Sequence, residues 1–490
     1  MRRLFVPTIL TLFFAAGPAC SQAPAGNDDI PKIIAAAENG IACVYVSRSE
    51  TYQKLGMIGP KRWPGELGGV DERFFPSGGV NETEAEKAHR RKHLLSDPHH
   101  SPEAFGSGIV IDPKGLILTN YHVVLDAVKV YVRLPGGYGG YADIHAADPR
   151  SDLAVLRLIT PPKKPLTALP LGNADPVGRG QTVIALANPY AAGFHDAQPN
   201  ASIGTVSNMR RRIAGRPQLK ENAANPLYQY GILLQIEARI ALGCSGGALL
   251  NLKGEAIGIT TSLAAIHGSD TPGGFALPIN SGFRRIIEVL ARGEEVDYGF
   301  LGVLMNTADA QEGAMINGAA SGSPGQLEAR LMPHDVITSI DGFAVRDTQD
   351  LMLGLGLCLA GQRIRLTALR NGEEFKSNAT LLKYNAPRDK IIASSLGKRP
   401  FVAGMRIDYL SILFHGGNQT AIPRGVLISE LEAGSKAQRR GLARHDIITH
   451  VGAVAVNTPE QFYRAFAEQK DGFELQVHAL DQPTRTVNWK

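Results

Sequence analysis

The hydrophobic positions of residues 105 to about 263 fall in short runs that are separated by turn residues. Short apolar runs at this spacing are typical of the strands of an all-β barrel or sandwich. The clearest runs are 109–111, 116–118, 128–132, 153–158, 183–186 and 256–259. The glycine-rich segment 136–140 lies between two of these runs. It is interpreted as a hairpin turn rather than a phosphate-binding loop, because neither a helix start nor a lysine follows it.

The pattern upstream of this region is interrupted. Residues 42–47 have the composition of a first strand, but 51–103 contain Gly-Pro and Trp-Pro pairs, charges and several histidines. We interpret 51–103 as a long insertion, with a short helix over 84–95. His89 and His93 are four residues apart on that helix, with His99 and His100 nearby, so metal binding is an alternative to a solvated loop. No His-Glu-x-x-His motif supports a zinc protease, and we expect no metal.

The C-terminal part contains an internal repeat. Gly322-Ser323-Pro324 and His334-Asp335 return as Gly434-Ser435-Lys436 and His445-Asp446, each followed by a predicted helix (347–355 and 459–468) and an alternating strand (363–368 and 473–479). The repeat predicts two α+β modules, 294–385 and 399–490, joined by a linker over 386–398. Exposed turns are the favoured interpretation of both His-Asp pairs, over a role in sensing pH.

The first residues resemble an export signal. Arg2 and Arg3 precede a mostly apolar run over 4–19, which is shorter than a bilayer-spanning helix. We therefore expect a signal peptide over residues 1–25 and an exported, periplasmic or cell-envelope protein. Lipid modification of Cys20, with membrane association, is the alternative to simple cleavage.

Length and composition constrain the class of protein further. A chain of 490 residues accommodates about three domains. The net charge of +5 is small, and no nucleic-acid-binding motif is present, so nucleic acid is not an expected partner. The few scattered cysteines do not form a disulfide framework.

Ser245 lies in the run Gly243-Cys244-Ser245-Gly246-Gly247, which suits a nucleophile. Glycines allow the chain to bend so that the N–H groups of Gly243 and Ser245, with Cys244 as a further candidate, face one oxyanion. A plain glycine turn is the alternative when this run is considered alone.

A histidine and an aspartate are candidates for the other members of a catalytic triad. His122 follows an apolar strand, and Asp152 immediately precedes another. Each position is commonly structural, a satisfied histidine or a turn aspartate. However, the order His, Asp, Ser in a β-rich region is that of the chymotrypsin-type triad.

Several segments resemble the HtrA (Deg) family of serine proteases. The similar stretches are 106–124 around the histidine, 151–158 around the aspartate, 235–262 around the serine, Gly274-Phe275-Ala276-Leu277-Pro278, and Tyr298-Gly299-Phe300-Leu301-Gly302-Val303. The resemblance implies a mainly β fold, in which a chymotrypsin-like double β-barrel (30–293) is followed by two PDZ-like domains.

The resemblance also implies a function. It implies an endopeptidase that needs no cofactor, acts on unfolded or damaged exported proteins, and forms a homotrimer or a higher homo-oligomer. Ile240 and Leu263 would line an apolar substrate pocket. Peptide segments would bind near Leu301, Gly302 and Val303 in the first module, and near Gly404, Met405 and Arg406 in the second. A packing role is the alternative for each module, and the entry to the second is the less typical of the family.

The chain departs from the family pattern near the nucleophile. Cys244 stands where the family mostly has asparagine, residues 236–239 and 241–242 differ from the usual activation-loop sequence, and Ala187 replaces an expected glycine. An inactive, peptide-holding scaffold or chaperone therefore stands as the alternative function.

Overall fold

The computed structural model describes residues 29–48, 83, 104–189, 197–211, 226–262, 273–306, 313–384, 392–395, 399–410, 423–469, 472–479 and 484–489. The signal peptide with Cys20, nearly all of the 51–103 insertion with its histidines, and Leu263 lie outside the described residues. Within the described part, no helix has the length and hydropathy needed to cross a membrane.

The protease region contains two antiparallel barrels. The strands of the first are β1 Ile41–Ser47, β2 Ala104–Asp112, β3 Leu116–Asn120, β4 Lys129–Arg133, β5 Gly139–Asp148 and β6 Leu153–Leu158. They pair in the order β5-β4-β1-β2-β3-β6, and β5 also pairs with β6, which closes the sheet. Valine and isoleucine side chains such as Val44, Val110 and Ile117 fill this barrel.

The second barrel follows directly. Its strands are β7 Thr182–Ala187, β8 Asn200–Arg211, β9 Leu233–Ile236, β10 Ala248–Leu250, β11 Ala256–Thr261 and β12 Gly274–Pro278, closed in the order β10-β11-β12-β9-β8-β7. The mainly β, double-barrel prediction is confirmed. The 3-10 turn Pro135–Gly137 joins β4 to β5, so segment 136–140 is part of a hairpin connection.

Few helices accompany the barrels. They are α1 Ile30–Ala37, α2 Tyr121–Val124 and α3 Ser281–Ala291, with 3-10 turns Glu38–Gly40 and Leu227–Tyr230. Asn280 caps α3 by accepting the N–H of Phe283 at 2.9 Å, which satisfies one of the unpaired donors of a helix start. The helix buries Phe283, Ile286 and Leu290 against the barrels.

The repeat forms two modules with the same order of elements. Module 1 contains β13 Gly299–Phe300, β14 Val303–Met305, β15 Ala314–Ala319, α4 Pro324–Leu327, β16 Pro333–Ile340, β17 Phe343–Ala344, α5 Thr348–Gly356, β18 Arg363–Arg370, β19 Glu373–Thr380 and β20 Leu382–Lys383. Its sheet order is β14-β15-β16-β18-β19, with β17 beside β16 and β13 beside β20.

A further strand, β21 Ile392–Ala393, lies between the modules and pairs with β5 of the first barrel. Module 2 then contains β22 Met405–Tyr409, β23 Val426–Leu431, α6 Lys436–Arg439, β24 Ile447–Val451, β25 Val454–Ala455, α7 Pro459–Glu468, β26 Phe473–His478 and β27 Arg485–Trp489. Its order β22-β23-β24-β26-β27, with β25 beside β24, repeats that of module 1. The predicted helices and strands of the repeat are therefore confirmed.

The linker interpretation of 386–398 was incomplete. Ile392 and Ala393 pair with Ala147 and Ala146, so this segment adds an edge strand to the protease region. The Ser394 hydroxyl bonds with His145 Nδ1 at 2.9 Å and fastens the same segment by its side chain. A polar, proline-containing composition did not reveal this pairing, because a two-residue strand has no periodicity to detect.

Candidate active site

His122 and Asp152 form a bonded pair in the first barrel. His122 is in α2, directly after β3, and Asp152 immediately precedes β6, the strand that pairs with β3. His122 Nδ1 lies 2.8 Å and 3.0 Å from the two carboxylate oxygens of Asp152. A carboxylate only accepts, so Nδ1 carries the proton and Nε2 is left as the basic nitrogen. The pair therefore has the polarity that a general base requires.

The backbone fixes the pair in place. Asp152 adopts a positive φ of 57°, and its carbonyl oxygen accepts the N–H of Tyr121 at 2.9 Å. Asn120 Nδ2 donates to the same carbonyl at 3.1 Å, and the N–H of His122 donates to the carboxylate at 3.0 Å. The left-handed conformation thus directs both the carbonyl and the carboxylate of Asp152 towards residues 120–122.

Module 1 braces the turn that carries Asp152. The carboxylate of Asp148 accepts the N–H of Ser151 at 2.8 Å and the hydroxyl of Tyr298, the residue before β13. The guanidinium of Arg150 lies 4.4 Å from the ring centre of Tyr298 and 5.0 Å from that of Tyr384, a cation–π arrangement on both sides. Burial, with the charge of Asp148, raises the pKa of Tyr298 well above its ordinary value. Tyr298 therefore stays a hydroxyl donor to this turn.

Ser245 is held in a loop whose carbonyl groups are all bonded to the scaffold. The carbonyl oxygen of Gly243 accepts from Ser107 Oγ at 2.9 Å, and that of Cys244 from Thr260 Oγ1 at 2.6 Å. The carbonyl oxygen of Ser245 accepts from the N–H of Ser107 at 2.7 Å. Because Ser107 belongs to the first barrel, it ties the serine loop of the second barrel to the histidine side.

Glycine is required at two positions of this loop. Gly243 and Gly246 have φ values of 88° and 91°, which L side chains rarely adopt. A Cβ on Gly246 would lie 2.0 Å from the carbonyl oxygen of Ser107, so a side chain cannot be accommodated without moving backbone. These two glycines therefore allow the bend that the sequence predicted around Ser245.

The expected contribution of Cys244 to an oxyanion hole needs correction. Its N–H donates to the carbonyl oxygen of Ala241 at 3.1 Å, inside the loop, because the turn over 241–244 closes on itself. Among the described residues, the N–H groups of Gly243 and Ser245 have no acceptor. Those two amides remain as the pair available to an anion. Burial raises the pKa of the Cys244 thiol and disfavours its thiolate.

The hydroxyl of Ser245 bonds with Ser262, the residue after β11. The two Oγ atoms are 2.7 Å apart, and Ser245 Oγ also accepts the N–H of Ser262 at 3.0 Å. Within the described residues, Nε2 of His122 is buried without a hydrogen-bond partner. The structure thus brings His122 to Asp152 by hydrogen bonds, whereas the hydroxyl of Ser245 bonds elsewhere.

The expected pocket and peptide residues are placed as follows. Ile240 is partly buried, and its side chain packs over Gly274 of β12, where a Cβ would lie 2.1 Å from it. Leu301 and Met405 are buried in the cores of their modules at 1% and 0% exposure, so their side chains do not face a bound peptide. The side chains of Val303 and Arg406 are partly exposed, and Gly302 and Gly404 have φ values of 81° and 85°.

Sequence reasoning missed several residues that organise the site. Ser107 lies in the Gly-Ser-Gly run that carried the family resemblance, so a signal for it existed. Tyr298 also lies in a resembling stretch, although nothing local indicated contact with Asp148. Ser262 follows the predicted strand 256–259 and is the last residue of the resembling stretch 235–262, but no pattern of its own distinguished it.

Two closed barrels, with a His-Asp pair on one and a glycine-bent serine loop on the other, define a trypsin-like serine peptidase. Residues 106–259 match the model of the trypsin-like peptidase domain family. The chain is 30% identical over 397 residues to the periplasmic pH-dependent serine endoprotease DegQ of Escherichia coli, covering 78% of this chain and 80% of DegQ. It therefore belongs to the HtrA (Deg) family of periplasmic serine endoproteases.

The chain is also similar to another curated relative and to a solved structure. A probable periplasmic serine endoprotease, DegP-like, of Brucella suis is 29% identical over 433 residues, covering 84% of this chain and 79% of the relative. A solved structure, the HtrA-type protease AlgW with tripeptide, has a TM-score of 0.47 at 24% identity and covers 73% of this chain and 98% of that one. The protein is a serine endopeptidase that is exported to the periplasm or cell envelope.

Proposed function

We propose that the chain hydrolyses peptide bonds by acyl transfer to Ser245, with His122 as general base and Asp152 as the group that orients it. His122 Nε2 takes the proton of Ser245 as Oγ attacks the carbonyl carbon and then gives that proton to the leaving amine. Water, deprotonated by the same nitrogen, releases the acyl group and restores Ser245. Asp152 holds the Nδ1 proton and stabilises the imidazolium.

The bonded His122–Asp152 pair supports these roles most directly, because its contact is 2.8 Å and its Nε2 bonds to none of the described residues. The N–H groups of Gly243 and Ser245 support an oxyanion hole, because all three carbonyl groups of residues 243–245 bond away from them. Loss of one preorganised amide donor of this kind slows acyl transfer by about a hundred- to a thousandfold.

Substitution of Ser245 by alanine tests the proposal. We expect hydrolysis of an unfolded casein substrate to fall by at least about a thousandfold, because the substitution removes the hydroxyl that forms the acyl-enzyme. Ser207→Ala is the matched control, since the Ser207 hydroxyl donates to the backbone carbonyl of Gln235 in the same barrel at 3.2 Å. Cleavage by the Ser245→Ala protein at the normal rate would contradict the proposal.

The alternative function is a peptide-holding scaffold without catalysis. The bond between Ser245 and Ser262 is the observation that favours it. A fluorophosphonate probe separates the two functions, because it labels only an activated serine. Labelling that is lost in Ser245→Ala supports the protease, and folded protein that takes no label supports the scaffold.

We propose unfolded exported proteins as substrates, with an apolar residue before the cleaved bond. The partly buried aliphatic side chain of Ile240 supports this choice, and Leu263 is the second proposed lining residue. Matched fluorogenic peptides with valine or lysine before the cleaved bond test it. Faster cleavage of the lysine peptide would contradict an apolar pocket.

We further propose that module 1 binds extended peptide segments along β14 and that the chain forms homotrimers. An edge strand whose Leu304 is 49% exposed supports peptide addition by main-chain hydrogen bonds.

The family resemblance supports the trimer, and light scattering of the purified chain should give three times 52.4 kDa, less the mass of a removed signal peptide. Mass spectrometry of the mature N-terminus decides whether Cys20 carries lipid.

A further inference from the structure

Ser262 holds the side chain of the nucleophile in the structure. Its N–H donates to Ser245 Oγ at 3.0 Å, and the two hydroxyl oxygens are 2.7 Å apart. Ser245 and Ser262 are 3% and 5% exposed, so water competes poorly for these bonds. Two hydrogen bonds from one residue therefore fix where Ser245 Oγ lies.

This arrangement is not compatible with attack. A serine oxygen has one proton to donate and two lone pairs to accept with. If Ser262 Oγ donates, both lone pairs of Ser245 Oγ are taken by Ser262, and none is free for a carbonyl carbon. If Ser245 donates, its proton points to Ser262 instead of to His122 Nε2. The unpartnered Nε2 of His122 agrees with both cases.

The scaffold explains why Ser262 lies beside the nucleophile. Thr260, in β11, exchanges two backbone hydrogen bonds with Gly246 and Gly247, at 2.9 Å and 2.8 Å. Its hydroxyl also bonds the carbonyl oxygen of Cys244. The serine loop is thus attached to β11 at Thr260, and Ser262 follows where β11 ends at Thr261. Rotation at Ser262 can release Ser245 without disturbing the bend that holds the two free amides.

We infer that Ser262 is a positioning residue that holds Ser245 in a resting state, and that its hydroxyl must give up Ser245 before each acylation. The inference rests on the proposed role of Ser245 as nucleophile. Ser262 therefore controls the rate of acylation without contact to the reacting carbonyl.

Ser262→Ala tests the inference, because it removes the hydroxyl bond and keeps the N–H bond. We expect the rate of fluorophosphonate labelling, and kcat for a peptide substrate, to rise about three- to tenfold with KM unchanged, the range that one net hydrogen bond allows. Ser262→Thr restores a hydroxyl and should return the rate towards that of the native chain. Ser207→Ala, in the same barrel, should label at the native rate.

The outcomes separate the two proposals. Equal or slower labelling of Ser262→Ala, with the native chain labelled, overturns the role of Ser262 and leaves the nucleophile intact. Absence of label from both proteins overturns the nucleophile itself. Should Ser262→Ala not fold, Ser262→Gly and Ser262→Thr decide: a faster glycine variant beside a native-like threonine variant supports the inference, and two equal rates contradict it.

Discussion

The two C-terminal modules share a fold but differ in what their edge strands face. In module 1 the edge strand β14 is open, with Leu304 49% exposed. In module 2 other elements contact the outer side of the equivalent strand β22, where Asp408 accepts a hydrogen bond from Arg399 at 2.7 Å. The N–H of Ile407 donates to the hydroxyl of Tyr463, on α7, at 3.2 Å. A donor that would pair with an added strand is therefore already satisfied in module 2.

The equivalence of the modules is detailed. Gly302 and Gly404 both have positive φ, and a Cβ on either would collide with a serine, Ser323 or Ser435. His334 and His445 have φ values of 71° and 74°, and both are exposed. His445 lies in a turn, whereas His334 lies in β16, so the turn interpretation of His334 was wrong. The difference at the edge strands thus arises from side chains and neighbours and not from topology.

A group of charges holds module 2 against the segment that leads into module 1. Arg399 bonds to Asp297 at 2.6 Å and to Asp408 of β22 at 2.7 Å. Lys383, 6% exposed, lies 2.5 Å from Asp297. Because Asp408 is in the edge strand, the same contacts that dock module 2 also cover its edge. The edge strand of module 1 can therefore bind peptides, whereas that of module 2 makes contacts within the chain.

The largest expected effect is that of Arg399→Ala. Its loss removes the contacts of 2.7 Å to Asp408 and 2.6 Å to Asp297, which we expect to cost about 2–4 kcal/mol of module 2 stability, because removal of one partner from a mostly buried pair is costly. Urea unfolding followed by Trp489 fluorescence measures it, in a Trp63→Phe background that leaves Trp489 as the only tryptophan. Arg365→Ala, whose pair with Asp341 is exposed, is the control and should cost under about 1 kcal/mol. Equal costs would contradict the docking role.

The next effect is a dependence on pH. Burial alone raises the pKa of Asp297, but the charges of Lys383 and Arg399 outweigh it and hold the pKa below its ordinary value of 3.8. A lowered pKa in the folded state means that the stabilisation is present above about pH 4 and is lost as the pH falls through the folded pKa. We expect the Trp489 transition to weaken below pH 4 in the native chain and less so in Asp297→Asn. An identical pH dependence of the two proteins would contradict this assignment.

An exchange of side chains between the modules should alter peptide binding in opposite directions. Met352 and Tyr463 occupy the same place relative to the helix caps Asp347 and Thr458. We expect Met352→Tyr to weaken binding of an apolar C-terminal peptide to the full chain about tenfold, because a tyrosine hydroxyl there would compete for the backbone of Met305. Fluorescence anisotropy with a labelled peptide gives the Kd. Unchanged affinity would contradict β14 as the binding edge.

The smallest effect is expected from the reverse exchange. Tyr463→Met frees the N–H of Ile407, but Asp408 and Arg399 still cover the strand, so we expect at most about a threefold gain in peptide affinity. The double variant Tyr463→Met, Arg399→Ala should gain more than either change alone. If the peptide affinity of the double variant equals that of the native chain, module 2 is a packing module even when its edge strand is uncovered.

Much of the fold and of the candidate site was accessible from the sequence because the signals are local. Short apolar runs separated by turn residues predicted the barrel strands, and the helix over 459–468 was predicted with its observed bounds from its pattern. Glycines 243 and 246 predicted a bend in the backbone, and the order of His122, Asp152 and Ser245 predicted acyl transfer to serine. The orientation of the Cys244 amide was not accessible, because it depends on how the turn over 241–244 closes on Ala241.

The sequence by itself determined the elements, the repeat and the residue types that acyl transfer needs, since each depends on neighbours along the chain. Tertiary structure alone decided that Ser245 bonds with Ser262, that Tyr298 supports the Asp152 turn, that Ile392 and Ala393 join the first barrel, and that Tyr463 and Arg399 contact the edge strand of module 2. These contacts join elements far apart in the chain. They follow from the packing of whole barrels and modules, in which a pair of side chains meets only after every intervening strand has taken its register.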